Sequence, residues 1–394
     1  MVTLRNHHCD VFIAGAGPAG LAAAIALRLR GADVLLADAR HPPIDKPCGE
    51  GLMPDARRAL AALGVYPDPH GLPFAGIAFA DAHARVSASF PTFPGVGLRR
   101  TTLHQLLCER AAALGVRFAF NTPVILGANQ PPTLAGHFGS SAVRARWIIG
   151  ADGASSRLRT WAGLDRARPG IRRFGFRAHF RLAPGVPPPT HVEVHWGPHG
   201  QAYITPVALH DGRAELCISA MTRDPHARLL QILDTLPTLR DLLRGAEPLT
   251  AERGCLTLTR RFPRVTRAHP SLGNVALIGD ASGSVDAITG EGLALAFRQA
   301  LLLADSIAAD RLDLYESRHP ALLALPQRMA RLLLLLDRCP RLRTRTLHAF
   351  STRPSLFRSL LAVHVGEQRL SRFLLLYGPS LASRIALPSA EWSS

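Results

Sequence analysis

"CDVFIAGAGPAGLAAAIALRLRGADVLLADAR", residues 9–40, decides the fold. Residues 11–14 are a short apolar run of the kind a parallel strand buried on both faces requires. The Ala/Leu-rich stretch 18–30 reads as a helix stopped by Gly31, and "DVLLAD" as a second strand. Strand, glycine-rich turn, helix, strand is the unit that opens a doubly wound α/β sheet. Gly15, Gly17 and Gly20 space out G-x-G-x-x-G around Pro18 and Ala19. The first glycine permits the tight turn, the second lets backbone approach a pyrophosphate, and the third lets helix and strand pack closely. The phosphates then sit on the helix N-terminus. Asp38 ends the second strand, followed by Ala39 and Arg40, where a carboxylate can accept hydrogen bonds from a ribose. A dinucleotide site follows.

Composition narrows the partners. The 394 residues carry a formal net charge of +17, yet Lys46 is the only lysine and the arginines are spread along the chain. Nucleic-acid binding needs a clustered basic patch with interleaved aromatics; aromatics make up 6% and no block reads as a basic arm, so no nucleic-acid partner is expected. The cysteines 9, 48, 108, 217, 255 and 339 include no C-x-x-C pair and no histidine cluster sits at zinc spacing, so no metal is expected and the thiols read as reduced and cytoplasmic. The N-terminus lacks a basic-then-apolar leader, and "RLLLLLDRC" (331–339) is too short to span a bilayer.

Further along, "TTLHQLLCERAAALGV" (101–116) is an amphipathic helix and "ARWIIGADG" (145–153) a buried strand ending in a turn. Residues 171–220 change texture: "AHFRL", "HVEVHW", "QAYITPV" and "AELCISA" alternate, as an antiparallel sheet does. "GNVALIGDASG" (273–283) returns to buried strand and turn, 290–309 is helical, and 320–385 is helix-rich with leucine and arginine. The C-terminal helices read as ordinary packed helices, with a lid, a dimer surface or a membrane contact as the alternatives.

Three segments in this order, "GAGPAG", "GADGASSRLR" (150–159) and "GDASGSVDAITGEGLALAF" (279–297), resemble the FAD-binding signature of flavoprotein monooxygenases of the p-hydroxybenzoate hydroxylase fold, a superfamily that also holds the geranylgeranyl reductases. The resemblance spans residues 9–310. It implies a Rossmann-like FAD-binding domain with an inserted antiparallel β-sheet substrate domain and C-terminal helices. The expected boundaries are 1–75, 95–170 and 270–320 for the FAD domain, 76–94 and 171–269 for the sheet, and 321–394 for the helices. It also implies that Asp152 and Gly153 lie near the flavin pyrophosphate, that Gly279 and Asp280 meet the ribityl chain, and that Arg100, with Arg99 as neighbour, touches the cofactor. Thr289, Gly290 and Gly292 in "TGEG" open a helix whose N–H groups face the edge of the flavin where negative charge collects on reduction. The superfamily usually has a proline where Ala287 stands, which leaves that backbone less fixed.

"KPCGEGLMP" (46–54) resembles the P-C-G-G-G loop of the geranylgeranyl-reductase-like branch, which lies against the flavin face. Cys48 and Gly49 then belong to the cofactor site, and Cys48, Glu50 and Glu291 are the catalytic candidates. Either glutamate serves as a proton donor if burial raises its pKa. The inserted sheet covers the ring, so Tyr203, Pro206 and Trp196, with His195, are candidates for the substrate wall. Halogenases share the fold, but the chain has no W-x-W stretch. The expected activity is an NAD(P)H-dependent monooxygenase that uses O2 on an apolar aromatic, polyketide or isoprenoid substrate. The alternative is a reductase that saturates C=C bonds of a prenyl lipid, and the non-enzymatic alternative is a flavin-binding scaffold. NAD(P)H binds transiently in either enzyme, since no second G-x-G-x-x-G is present.

Overall fold

The computed structural model describes residues 7–128, 130–136, 139–167, 170–268 and 273–386. The N-terminal segment 1–6 and the end of the C-terminal region, 387–394, lie outside the described residues. Strand β1 (His7–Ala14), helix α1 (Pro18–Arg28) and strand β2 (Val34–Ala37) form the opening βαβ unit. Val11, Phe12 and Ile13 on β1 and Leu21 to Ala26 on α1 are fully buried. The alanines keep α1 slim enough to lie close against the sheet.

The first sheet has eight strands. Its parallel part runs Asn274–Leu277, Gly139–Gly150, β1, β2 and Arg117–Ala119. β1 lies between β2 and Gly139–Gly150, so the three glycine-bearing turns after β1, Gly139–Gly150 and Asn274–Leu277 emerge side by side at one sheet end. Ligands of doubly wound sheets bind at that end. The strand ending at Gly150 starts earlier than the apolar run 145–150 suggested, because its first half pairs with the antiparallel strand Thr133–Gly136. Periodicity locates the buried half of such a strand only.

The second sheet is also eight-stranded, with Arg172–Arg181, Val192–Gly197, Gly200–His210 and Arg213–Thr222 at its centre. Its pairings are antiparallel except that Val192–Gly197 runs parallel to Gly76–Ala80. A three-stranded sheet of Gly51–Leu52, Gly95–Gly97 and Leu72–Phe74 joins the two regions. Helices Leu312–Arg338, Pro340–Thr352, Pro354–His364 and Leu370–Ala386 follow. Leu347, Phe350, Leu356, Phe357 and Leu361 of these helices share one apolar cluster with Phe74, Val194 and Trp196 of the strands. Among the described residues, no helix is long and apolar enough to cross a membrane.

Candidate active site

The three glycine-bearing turns meet. Gly15 has φ +109°, and a Cβ placed on it would lie 2.4 Å from the Ala151 carbonyl oxygen, so both turn and close approach demand glycine. A Cβ on Gly20 would lie 1.9 Å from the Gly15 carbonyl oxygen. A Cβ on Gly279 would come within 2.8 Å of the Ala19 Cβ, which ties the third turn to the first. Gly17 is different in kind: no protein atom lies within 4 Å of its would-be Cβ, and Gly153 and Gly292 share that openness. A pyrophosphate can therefore reach the α1 N-terminus, where Gly17 is the N-cap residue and Pro18 the first helical one.

Side chains from afar hold this turn. The Ala16 N–H donates to Asp38 Oδ2 at 2.9 Å, and Asp38 Oδ1 accepts from the Arg40 N–H at the same distance. Buried His104 lies with Nε2 2.9 Å from the Ala16 carbonyl oxygen. Burial holds this imidazole below its usual range, so it is neutral and donates through Nε2. Gln299 accepts from the Gly279 N–H at 2.7 Å and lies 3.1 Å from His319, itself kept neutral by burial at about 4.

The other sequence candidates differ in what holds them. Asp152 Oδ2 accepts from the N–H groups of Arg157 and Leu158, so one oxygen of this carboxylate caps the short helix Arg157–Trp161. Asp280 Oδ2 is paired at 3.0 Å with Lys46, and both are half exposed. Arg99 is engaged with Glu215 at 2.6 Å, whereas the Nε of Arg100 is buried without a partner, which singles out Arg100 as the arginine poised for a further group. Trp196 is not a cavity wall: it packs edge-on against Phe79, with ring centroids 5.0 Å apart, inside the second core. His195 is buried against Glu193 at 2.8 Å. Pro206 is buried at the bulge of its strand, where a Cβ on Gly97 would lie 1.8 Å from its carbonyl oxygen. Tyr203 donates its hydroxyl to Gln201 Oε1 at 3.1 Å.

The backbone around Ala287 is fixed without proline. Asp286 Oδ1 accepts from the Ile288 N–H at 3.0 Å and from Arg173 Nη1 at 2.9 Å, and Thr289 Oγ1 donates back to the Asp286 carbonyl. Arg173 and Asp286 are both buried, and Arg173 also donates to Gln201 at 2.7 Å. The expected looseness at Ala287 is overturned by an ion pair contributed from the second sheet.

The two glutamates separate sharply. Glu50 has φ +58°, a left-handed conformation that suits the glycine the resembling loop carries there and strains any other residue. Its side chain is buried and its oxygens are taken: Oε1 accepts from Arg177 at 2.9 Å and from the Arg100 N–H at 3.0 Å, and Oε2 meets His179 Nε2 at 2.8 Å. Arg177 also grips Asp45 with both amino groups. Glu50 is an anchor between the loop and the second sheet, not a free acid. Cys48 joins the same packing: its Sγ accepts from the Glu50 N–H and its carbonyl from the Cys217 thiol, each at 3.4 Å. Glu50, His179 and Cys217 present ligand atoms within 4.8 Å of one another. The Arg177 cation already sits on Glu50, and burial pushes the Cys217 thiol well up, so this cluster suits no metal cation.

Glu291 is the opposite case. It is buried, and its Oε2 has no partner. Burial, with the charge of Asp55 adding to it, pushes Glu291 up to about 8. It stands as the N-cap residue of helix Gly292–Ala308, beside the open space at Gly292.

A chain with this cradle belongs to the FAD binding domain family, whose model matches residues 8–323. It is an FAD-binding oxidoreductase by that membership and by its relatives. It is 29% identical to the menaquinone reductase of Mycolicibacterium smegmatis over 81% of both chains. It is 27% identical to digeranylgeranylglycerophospholipid reductase 1 of Methanothermobacter thermautotrophicus, over 76% of this chain and 77% of the relative. In fold it is similar to p-nitrophenol 4-monooxygenase PnpA of Pseudomonas putida, with TM-score 0.73 and 19% identity over 93% of this chain and all of that one. FAD fits the residues present: the open space over Gly17 and the orphaned Arg100 Nε suit its phosphates, and the Asp38 carboxylate after β2 stands where the motif holds a ribose.

Sequence reasoning missed His104, Arg173, Asp286, Arg177, His179 and His364. The only signal available was a polar residue at a position whose neighbours alternate into the core, as Arg173, Arg177 and His179 do along one strand.

Proposed function

We propose that the chain is an NAD(P)H-dependent FAD reductase that saturates a carbon–carbon double bond of a prenylated lipid or quinone, with Glu291 as its proton donor. This reverses the order in which the sequence alone ranked oxygenase and reductase. The observation that carries it is the buried Glu291 carboxyl at the start of helix Gly292–Ala308, pushed up to about 8 by burial and with Oε2 lacking a partner; the family resemblance puts that helix start at the flavin. Saturating an isolated double bond needs one hydride and one proton, and an acid poised near the working pH is the group for the second. Bound FAD supplies the hydride. The protein's own residues hold the pyrophosphate at Gly17, position the ring-facing loops through Arg173 and Arg177, and keep the proton at Glu291. The relatives named above support a prenylated substrate.

The last helix supports peripheral contact with a membrane that holds such a substrate. Leu374, Leu375 and Leu376 are exposed there, flanked by Arg369 and Arg372. Co-sedimentation with anionic vesicles, weakened in Leu375→Asp, tests that contact; equal sedimentation of the two would contradict it.

The activity is tested by reducing the enzyme with NADPH or NADH without oxygen and adding menaquinone or a geranylgeranylated lipid. Return of the oxidised flavin spectrum with a saturated product supports the reductase. Reoxidation by O2 alone, with an oxygenated product, would overturn it in favour of the monooxygenase.

A further inference from the structure

Three buried carboxyl and imidazole atoms without partners, Glu291 Oε2, Asp55 Oδ1 and His364 Nδ1, come from three different helices. Native proteins leave few such atoms unpaired, and those left unpaired ask for an explanation. His364 Nε2 lies 3.1 Å from the Thr289 carbonyl oxygen, in the loop that faces the flavin site. A carbonyl only accepts, so Nε2 carries the proton and donates. The lone pair is then on Nδ1. That atom faces Glu291 Oε2 at 3.8 Å, with both side chains almost wholly buried.

We infer that His364 is the positioning residue of the proton donor: it pins the Thr289 carbonyl with one nitrogen and offers the other as the acceptor toward which the Glu291 carboxylic proton is aimed. The inference rests on the reductase reading, in which Glu291 supplies a proton each turnover. The step balances. The double bond accepts a hydride on one carbon and the Glu291 proton on the other, the nicotinamide is left oxidised, and solvent restores the proton to the Glu291 carboxylate.

The surroundings agree. His364 is held low by burial, so it stays neutral and able to accept. Asp55, on helix Pro54–Ala62, is raised by burial and its charge disfavours a second negative charge on Glu291. Arg298, on the Glu291 helix, acts on Glu291 and Asp55 in the opposite sense, as Arg58 does on Asp55. Arg58 is itself committed to the Val365 carbonyl at 2.8 Å and to Glu367 at 3.0 Å. The arrangement lets the last helices sense the flavin-facing loop through one imidazole.

His364→Gln separates the two roles. The glutamine amide can still donate to the Thr289 carbonyl, but the ring lone pair is gone. The readout is the infrared band of the protonated carboxyl, assigned to Glu291 by its loss in Glu291→Gln and titrated in protein freed of FAD. The band is expected to titrate near pH 8 in the wild type and about one pH unit lower in His364→Gln, since the protonated form loses its acceptor. With FAD restored, the alkaline limb of the turnover profile should move by the same amount. Equal titration of the band in wild type and His364→Gln would overturn the inference, as would a band that survives in Glu291→Gln. A shifted band in a protein that proves to be an oxygenase overturns the reductase reading while the Glu291–His364 pairing stands.

Discussion

The cradle for the dinucleotide and the two loops expected at the flavin ring are built on different plans. In the cradle the motif is local: β1, Gly15, Gly17, Gly20 and Asp38 lie within one βαβ unit, and glycine geometry does most of the positioning, with one remote contact from His104 to the Ala16 carbonyl. At the ring, each loop is held by side chains remote in sequence. Arg177 and His179 hold Glu50, Arg173 holds Asp286, and His364 holds Thr289. A Cβ on Gly15 or Gly20 would overlap backbone, whereas a loop held by ion pairs accommodates other residues where partners for them are present. Glu50 in a left-handed position and Ala287 in place of proline are two such departures, each compensated by an arginine of one strand.

Substitutions can break this comparison. Gly17→Val should abolish FAD binding and leave the apoprotein's melting temperature unchanged, because no protein atom lies within 4 Å of its Cβ. Gly20→Ala should lose both, since its Cβ would overlap the Gly15 carbonyl. Flavin content and thermal unfolding of the two variants decide the matter, and stoichiometric FAD in Gly17→Val would sink the placement.

Glu291→Gln should keep FAD and cut turnover about 10²- to 10⁴-fold, the scale of a lost general acid. Flavin reduction by the nicotinamide should be little changed, and comparison of the two half-reactions checks it. Arg173→Met should cost about 3–5 kcal/mol of stability by leaving Asp286 charged and alone in the interior. Denaturant unfolding measures this; a cost under 1 kcal/mol would mean the loop is held by other means. Glu50→Gly should be milder, a loss of about 1–3 kcal/mol with FAD retained, because relief of backbone strain offsets part of the loss to Arg177, which still keeps Asp45.

The smallest effect is one of pH. Glu291 ordinarily ionises near 4.5 and in the folded chain near 8, so between these values the native state binds a proton that the unfolded state has released. Wild-type stability therefore falls across that window. Glu291→Gln lacks the group, so its melting temperature should gain on the wild type from about pH 4.5 to about pH 8 and then run parallel. A constant offset at every pH would mean that Glu291 is ionised in the native state.

The same contrast explains what could be read in the chain. The parallel sheet, the alternating second sheet and the family follow from apolar runs and glycine spacing, which are local signals. Asp38 and Arg100 are candidates that motif position alone points to. His364 and Arg173 were illegible, because a polar residue inside an apolar helix or strand says that a partner exists without saying where. Trp196 misled for the converse reason: its contact with Phe79 crosses between strands far apart in sequence. Glu50 and Glu291 look alike as glutamates among glycines, and only their three-dimensional neighbours tell them apart: Arg177 and His179 on the oxygens of one, an oxygen without a partner on the other.

The most direct test follows the proton. Reduced enzyme is mixed without oxygen with a prenylated quinone or lipid in heavy water, and the product is weighed by mass spectrometry. The expected result is solvent deuterium in each bond saturated, incorporated rapidly by the wild type and at least about 100-fold more slowly by Glu291→Gln. Equal rates for the two proteins, or a product that gains oxygen and no deuterium once air is admitted, would contradict the assignment of Glu291 as the acid of a flavin reductase.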